Sequence, residues 1–186
     1  PTEQRTATAG WYNTEAFEAF AASDHLYAKS INGDAFSKVI KEKTIEQIKN
    51  DLGKVDLVIY SLASARRSME DGTVYRSTLK TVGEEYKNKT LDLKNNTVSH
   101  ANVKSATQEE LEATIKVMGG EDWKNWIDAL SEAEVLAEKS VTIAYSYIGP
   151  KLTYPIYNKG TIGNAKRHLH DTTAEIGYYT YLTLPT

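Results

Sequence analysis

Cysteine is absent from this 186-residue chain. Its absence excludes disulfide bonds, thiolate catalysis and zinc sites built on cysteine, and it favours a reducing cytoplasm. The chain also lacks an excess of one charge, because 22 basic and 25 acidic residues give a net charge of -3. No basic run occurs, which argues against partners such as nucleic acid or an anionic membrane. A small-molecule substrate is the class that remains.

Long apolar runs are missing as well. No stretch approaches the ~20 residues that a membrane-spanning helix needs, and residues 1–5 have no apolar core of a signal peptide. We therefore expect a soluble protein, a monomer by default, without integral membrane association. A chain of this length suits a single domain over residues 1–186. Its polar start without methionine suggests that it begins partway through a larger protein.

The order of the apolar patterns indicates an α/β fold. Helical spacing predicts helices over residues 13–24 and 36–52, and short apolar runs predict strands over 26–31 and 55–60. A strand, a helix and a strand within about thirty residues form a βαβ unit, so we expect a doubly wound parallel sheet. The uninterrupted apolar run at 55–60 predicts a strand buried on both faces.

The second half continues this pattern after a polar interruption. Residues 64–106 predict a hairpin excursion that covers part of the site, with a turn at Asp71-Gly72. A helix follows, opened by the capping box of Thr107 and Glu110 and ended by Gly119-Gly120. A further helix and a buried strand over 141–147 come next. Residues 177–186 alternate like a strand but end at once, and we treat them as a divergent tail.

A tyrosine and a lysine nine positions apart, Tyr157 and Lys166, follow the last predicted strand. On one continuous helix nine steps of roughly 100 degrees would place them on opposite faces, so the pair must straddle a helix start. We place Tyr157 on a loop and Lys166 in the second turn of a helix over 162–175, with Thr161 as its N-cap. A phenol near an ammonium can donate a proton or stabilise an oxyanion. Taken alone, the pair could be a chance spacing among the 12 tyrosines of the chain. Taken with the segments before it, the pair indicates a nicotinamide-dependent reductase.

Two other segments follow predicted strands, where an open sheet binds its ligands. Asp34 and Ala35 offer a carboxylate and a small residue to an adenine edge, or they form only a turn and a helix cap. Leu62 and Ala63 let a flat cofactor approach the backbone, or they reflect only tight packing. The residues alone leave both alternatives open.

Several conspicuous residues have simpler explanations. His168 and His170 point apart on a helix, which argues against a metal site. Arg66-Arg67 could meet a phosphate or merely water. The acids Glu121 and Asp122 suit the first turn of a helix, where they complement its dipole, and Trp123 and Trp126 suit the core.

Longer motifs resemble a known family, the trans-2-enoyl-CoA/enoyl-ACP reductases of the FabV/TER type. The resemblance runs in order from about residue 9 to residue 175. It is carried by Trp11-Tyr12-Asn13, Gly33-Asp34-Ala35-Phe36, Tyr60-Ser61-Leu62-Ala63-Ser64, the run from Lys116 to Trp123, the run from Tyr145 to Pro150, and Gly160-Thr161-Ile162-Gly163 with Lys166.

The resemblance implies a Rossmann-like fold related to the short-chain dehydrogenases. It also implies NADH-dependent reduction of the 2,3 double bond of an enoyl thioester, carried by CoA or by acyl carrier protein. Tyr157 would be the proton donor and Tyr147 a substrate-binding residue. The implied cofactor contacts are Asp34, Ala35, Leu62, Ala63 and Lys166.

The chain departs from this family at both ends. Members are about twice as long and begin with a strand and a glycine-rich loop for the pyrophosphate, which nothing before Trp11 supplies. We therefore expect a sheet that is incomplete at both ends and weak NADH binding by the isolated chain. The alternative is a non-catalytic remnant that kept the fold without the cofactor. A carbonyl reductase of the short-chain type is disfavoured, because its tyrosine and lysine lie four positions apart.

Overall fold

The computed structural model describes residues 8–147, 149–177 and 182–183. The chain divides into two compact units, residues 1–34 and 35–186. In the first unit, helix α1 (Ala9–Ser23) begins after Thr8, whose side chain accepts a hydrogen bond from the Trp11 N–H. The predicted strand over 26–31 is wrong, because this segment is irregular backbone. Its alternation meets the local rule for a strand, but no described strand forms a ladder with it.

The second unit opens with helix α2 (Lys38–Asp51) and strand β1 (Val55–Tyr60). The helix starts two residues later than predicted because the Ser37 side chain caps it, accepting a hydrogen bond from the Ile40 N–H. Gly53, with φ +73°, makes the turn between helix and strand. The strand predicted over 55–60 is confirmed.

A parallel sheet of β1 and two later strands forms the centre of the second unit. Strand β6 (Leu136–Ser146) pairs with β1 so that Tyr60 lies opposite Ala144, and it pairs on its other side with β7 (Leu182–Thr183). The predicted strand over 141–147 is thus the second half of a longer one. Apart from Gly177 and β7, the predicted tail over 177–186 lies outside the described residues.

The expectation that β1 is buried on both faces is wrong. Because successive side chains point to opposite faces, Val58 and Tyr60 share one face and pack against the helices. Leu57 and Ile59 point to the other face and are 50% and 48% exposed. An unbroken apolar run predicts the apolar character of both faces, whereas burial also requires a covering layer.

Residues 64–106 contain two antiparallel hairpins. The first pairs β2 (Arg66–Ser68) with β3 (Val74–Arg76), and the second pairs β4 (Tyr86–Asp92) with β5 (Thr97–Val103). The turn at Asp71-Gly72 closes the first hairpin, where the Asp71 carboxylate accepts the Thr73 N–H and Gly72 has φ +86°. Strand β4 has no apolar alternation, which explains why the sequence does not reveal it.

Three further helices complete the unit: α3 (Gln108–Met118), α4 (Glu121–Glu132) and α5 (Thr161–Ile176), with a short 3-10 helix at Lys151–Thr153. The capping box of Thr107 and Glu110 is confirmed at the start of α3. None of the described helices combines the length and the apolar character that crossing a membrane requires.

The core lies between the helices and one face of the sheet. Trp123 on α4 is fully buried, and its indole N–H donates to the Thr142 hydroxyl at 2.9 Å. Thr142 in turn donates to the Val58 carbonyl at 3.0 Å, which ties the helix to both central strands. The buried apolar members of this core are Tyr60, Trp123, Ile127, Leu130, Val135, Ala144 and Leu169.

We expect Leu130→Ala to destabilise the chain by about 2–5 kcal/mol, because it removes a fully packed side chain and leaves a cavity. Urea unfolding followed by circular dichroism measures the change. Leu93→Ala is the control, since Leu93 is 85% exposed and should change stability by no more than about 0.5 kcal/mol. Equal losses in the two variants would contradict this description of the core.

Candidate functional site

The carboxyl ends of β1 and β6 lie side by side, because the strands are parallel and their last residues are in register. Ser61–Ser64 continues from β1, and Tyr147 continues from β6 with its side chain half exposed. Leu62 and Ala63 are exposed at the same edge. Open parallel sheets bind ligands at this edge, so it is the candidate site.

The aromatic ring of Tyr157 packs against that of Tyr147. Their ring centroids are 6.1 Å apart and the planes meet at 88°, an edge-to-face contact. The loop between them bends at Gly149, which has φ +73°. A Cβ at this glycine would lie 2.7 Å from the Thr153 hydroxyl and 3.4 Å from the Tyr157 ring, so the loop closes tightly on Tyr157.

Two further close approaches fix the turn that carries Tyr157 against helix α5. A Cβ at Gly163 would lie 1.8 Å from the Asn158 carbonyl oxygen and 2.5 Å from that of Tyr157. A Cβ at Gly160 would lie 1.9 Å from the Ile156 carbonyl oxygen. The absence of side chains therefore lets the backbone of the turn contact the first turn of the helix. Tyr157 precedes α5 and Lys166 lies in its second turn, as the spacing predicts.

The prediction that Thr161 is the N-cap of α5 is wrong. Gly160 occupies that position, and Thr161 is the first helical residue, fully buried. The Thr161 N–H donates to the Lys80 carbonyl at 2.9 Å, and its hydroxyl donates to the Thr78 carbonyl. The hydroxyl therefore bonds the segment after β3 instead of capping the helix, and this bond anchors the start of α5.

Lys166 is half-buried, and this burial lowers the pKa of its ammonium. It makes no hydrogen bond or ion pair with any described residue. The Tyr157 hydroxyl has no hydrogen bond among the described residues either, so the structure does not join these two groups directly. Desolvating a charge without a partner costs free energy, which a ligand can offset. Both groups are therefore available to a bound molecule.

A hydroxyl group at this edge has no described hydrogen-bond partner. The buried hydroxyl of Ser146, the last residue of β6, has no hydrogen-bond partner among the described residues. Buried polar groups in native proteins are nearly always hydrogen-bonded to protein, water or ligand. The edge that carries Tyr147 and Tyr157 thus retains hydrogen-bonding capacity.

Ala35 is held through its carbonyl group, which accepts hydrogen bonds from Lys41 Nζ at 3.2 Å and from the Trp126 indole N–H at 3.1 Å. These two bonds use both lone pairs of the oxygen. What Ala35 can offer a ligand is therefore its methyl group and its N–H. Asp34 ends the N-terminal unit and is exposed.

A buried ionic cluster lies next to Ala35 and Tyr60, and sequence reasoning missed it. Asp122 is in the first turn of α4, as predicted, but it is buried and forms an ion pair with Lys41 at 2.7 Å. Its second oxygen accepts the Tyr60 hydroxyl at 3.2 Å. Burial, followed by the charge and the hydrogen bond of Asp122, raises the pKa of Tyr60. This phenol therefore stays protonated and acts as a donor.

Arg67 belongs to the same cluster and is shielded from bulk water. It is 4% exposed, pairs with Glu121 at 3.1 Å and donates to the Lys116 carbonyl at 2.9 Å. Burial would raise the pKa of Glu121, but the hydrogen bond from Lys116 and the charge of Arg67 outweigh it and hold that pKa low. Arg66, its neighbour, is exposed.

One sequence signal was available for this cluster. Asp122 lies four residues before Trp126, so the two share a helix face, and a carboxylate on a half-buried face requires a cation. Its partner Lys41 is 81 positions away, which no local pattern reveals.

The described residues contain no group of three or more histidine, cysteine, aspartate or glutamate side chains that could hold a metal ion. His168 Nδ1 instead accepts the Gly120 N–H at 3.1 Å, at the start of α4. The histidine therefore has a structural role between two helices.

The parallel sheet and the helices beside it define a Rossmann-like α/β protein, and the candidate site lies at the carboxyl edge of the sheet. Residues 5–181 match the family model described as the trans-2-enoyl-CoA reductase catalytic region. The chain therefore belongs to this family, as the sequence motifs indicate.

Relatives and solved structures support this membership. The NADH enoyl-acyl-carrier-protein reductase of Flavobacterium johnsoniae is 55% identical over 177 residues, covering 95% of this chain and 45% of that protein. The NADH trans-2-enoyl-CoA reductase of Ruminiclostridium cellulolyticum is 52% identical over 175 residues, covering 94% and 44%. This chain thus spans about half the length of the curated relatives it matches.

Among solved structures, the Treponema denticola trans-2-enoyl-CoA reductase in complex with NAD superposes with a TM-score of 0.89 at 42% identity, covering 100% of this chain and 49% of that one. The Clostridium acetobutulicum trans-2-enoyl-CoA reductase in complex with NADH also gives 0.89, at 41% identity, covering 97% and 48%. FabI from Alistipes finegoldii, 16% identical with a TM-score of 0.52 over 92% of this chain and 53% of that one, shows a shared fold alone.

We expect Lys166→Met to raise the free energy of unfolding at pH 7, because it removes a desolvated ammonium that has no described partner. Since the folded-state pKa of Lys166 lies below the usual 10.5, the unfolded chain binds more protons between the two values. As the pH rises toward 10.5, the free energy of unfolding of the wild-type chain should therefore increase relative to that of the variant.

Urea unfolding at pH 7 and at pH 9–10 measures both effects. Lys159→Met is the control, because Lys159 is exposed in the neighbouring turn and should change stability by no more than about 0.5 kcal/mol. A Lys166→Met chain that is no more stable than the control at pH 7 would show that the ammonium carries no desolvation cost.

Proposed function

We propose that this chain carries the catalytic region of an NADH-dependent reductase that saturates the 2,3 double bond of a trans-2-enoyl thioester. The substrate would be an enoyl-CoA or an enoyl-acyl-carrier-protein of fatty acid synthesis. The observation that carries this proposal is the placement of Tyr157 directly before the helix that bears Lys166. Tyr157 packs on Tyr147, and neither its hydroxyl nor the Lys166 ammonium has a partner among the described residues. Family membership supports the reaction type.

The residues at the sheet edge fit a dinucleotide. When bound, NADH would supply the hydride that reduces the β-carbon. Lys166 would hold it through the ammonium that lacks a described counter-charge. Leu62 and Ala63 would contact it at the exposed end of β1, and Asp34 and Ala35 would contact its adenine side. The unsatisfied Ser146 hydroxyl adds hydrogen-bonding capacity at the same edge.

Tyr157 would act on the substrate. As the β-carbon is reduced, negative charge develops on the thioester oxygen, and a hydroxyl donor positioned there stabilises it. The Tyr157 hydroxyl can provide this hydrogen bond and the proton, since no described residue occupies it. Tyr147, half exposed beside it, would bind the acyl thioester through its ring and hydroxyl. Protonation at the α-carbon then completes the reduction.

We further propose that the enzyme works in the cytoplasm. The cysteine-free composition and the absence of a basic run support a reducing compartment and a small thioester substrate rather than a polyanion. The NADH reductases among its relatives support the choice of reductant.

The experiment that tests the function uses a chimera, because this chain spans less than half of its curated relatives. Residues 5–181 replace the matching segment of the Flavobacterium johnsoniae reductase, and NADH oxidation is followed with crotonyl-CoA and with crotonyl-acyl-carrier-protein. The unmodified relative is the positive control, and the 186-residue chain is assayed in parallel. A folded chimera without activity on either thioester would overturn the proposal and favour the non-catalytic alternative.

In the active chimera, we expect Tyr157→Phe to lower kcat by roughly 100- to 10,000-fold with little change in KM for NADH. The reason is that it removes the acid but leaves the cofactor contacts. Lys166→Met should instead raise KM for NADH as well as lowering turnover.

Steady-state kinetics with NADH and crotonyl-CoA varied in turn measure both effects. Tyr154→Phe is the matched control, a half-buried tyrosine of the same turn that should keep both constants. Unchanged turnover in Tyr157→Phe would remove this residue from the mechanism.

A further inference from the structure

The carboxylate of Asp122 connects two segments that the proposed function assigns to the cofactor. One is the turn at Ala35-Phe36, which leads into α2, and the other is the carboxyl end of β1 at Tyr60, directly before Ser61–Ser64. One carboxylate oxygen accepts Lys41 Nζ at 2.7 Å and the other accepts the Tyr60 hydroxyl at 3.2 Å. Each oxygen is thus committed to a different segment.

Lys41 links Asp122 to the backbone of the Ala35-Phe36 turn. Its ammonium donates to Asp122, to the Phe36 carbonyl at 2.9 Å and to the Ala35 carbonyl at 3.2 Å. An ammonium has three hydrogens, so its donors are fully used. The Trp126 indole N–H also donates to the Ala35 carbonyl, and the Trp126 ring lies 5.0 Å below the ammonium. The backbone of the turn itself is therefore held.

Tyr60 links Asp122 to the end of strand β1. Its side chain is buried in the core beside Trp123, with ring centroids 6.4 Å apart, so its hydroxyl is fixed relative to β1. The next residues leave the sheet and become exposed at Leu62 and Ala63. A shift of the Tyr60 hydroxyl would therefore move the start of the segment that bears these contacts.

Arg67 places a second cation beside the carboxylate of Asp122. Its guanidinium lies 4.0 Å from Asp122, pairs with Glu121 and stacks 5.6 Å above the Phe36 ring. Removing the charge of Asp122 would leave Lys41 buried without its counter-ion, which costs more than the pair contributes. The turn would be the part to move, because its two carbonyls are the other acceptors of that ammonium.

We propose that Asp122 is a positioning residue that holds the Ala35-Phe36 turn and the carboxyl end of β1 in fixed register, so that the adenine side of the NADH site is formed before NADH binds. This inference rests on the proposed function. The role of Asp122 goes beyond packing, because both segments that it connects adjoin residues assigned to the cofactor. Neither segment adjoins Tyr157. The loss of Asp122 should therefore affect NADH binding and not the chemical step.

The test uses Asp122→Asn and Tyr60→Phe in the chimera. Asp122→Asn keeps the shape but removes the charge, and Tyr60→Phe removes a single hydroxyl, so the second variant serves if the first does not fold. We expect KM and the dissociation constant for NADH to rise roughly 3- to 30-fold for Asp122→Asn and less for Tyr60→Phe. The kcat at saturating NADH and the KM for crotonyl-CoA should change less than about twofold.

Thr142→Val is the matched control, because it removes buried hydrogen bonds to Trp123 and Val58 in the same core and leaves the hydrogen bonds of Asp122 in place. It should lower stability and leave NADH binding unchanged. A fluorescence titration of NADH accompanies the kinetics, so a chimera that binds NADH without reducing a thioester still tests the positioning role while overturning the reaction.

Weaker NADH binding in both cluster variants but not in Thr142→Val supports the proposal. Unchanged NADH binding in the cluster variants, or an equal loss in Thr142→Val, would overturn it and leave Asp122 with a role in stability alone. A chimera that neither binds NADH nor reduces a thioester would overturn the function and this inference together.

Discussion

The ion pair between Asp122 and Lys41 is the contact on which the larger unit depends. It lies where four elements meet: the entry to α2, the end of β1, the strand β2 and the start of α4. A buried carboxylate is expensive unless it is fully bonded, and here each oxygen has its own donor. Few alternative arrangements of these elements could satisfy the same charges, so the cluster specifies how they fit together.

The loop that carries Tyr157 is held by different contacts. No described ion pair fixes Tyr157. Its turn is positioned by backbone atoms in close contact across Gly160 and Gly163, and by the buried Thr161 that links α5 to the segment after β3. Close backbone contact leaves little freedom for the turn. Arg167 adds a hydrogen bond from α5 to the same turn, since its guanidinium donates to the Asn158 carbonyl at 3.1 Å.

Satisfied and unsatisfied polar groups are unevenly distributed in the described residues. The charges of the Asp122 cluster have their partners, whereas Lys166, the Tyr157 hydroxyl and the buried hydroxyls of Ser146 and Thr81 have none that is described. A protein gives up stability where it keeps such groups available. Two of these groups belong to the candidate site, because Ser146 ends β6 and Tyr157 packs on Tyr147.

Sequence reasoning succeeded where the determining interactions are local. The capping box of Thr107, the apolar strand at 55–60 and the helix start between Tyr157 and Lys166 all depend on residues within about ten positions. The strand predicted at 26–31 failed because a strand also needs a neighbour, and Thr161 was misassigned because its partners lie more than 80 positions away.

Asp122 shows the same limit most clearly. Its position in the first turn of α4 follows from the sequence, and so does the expectation that an acid there complements the helix dipole. That explanation needs no partner and predicts an exposed side chain, whereas the real one is buried between Lys41 and Tyr60. A charge on the same helix face as Trp126 is the observation that separates the two cases. An acid that shares its face with an aromatic residue is therefore better read as half of a buried pair than as a dipole contact.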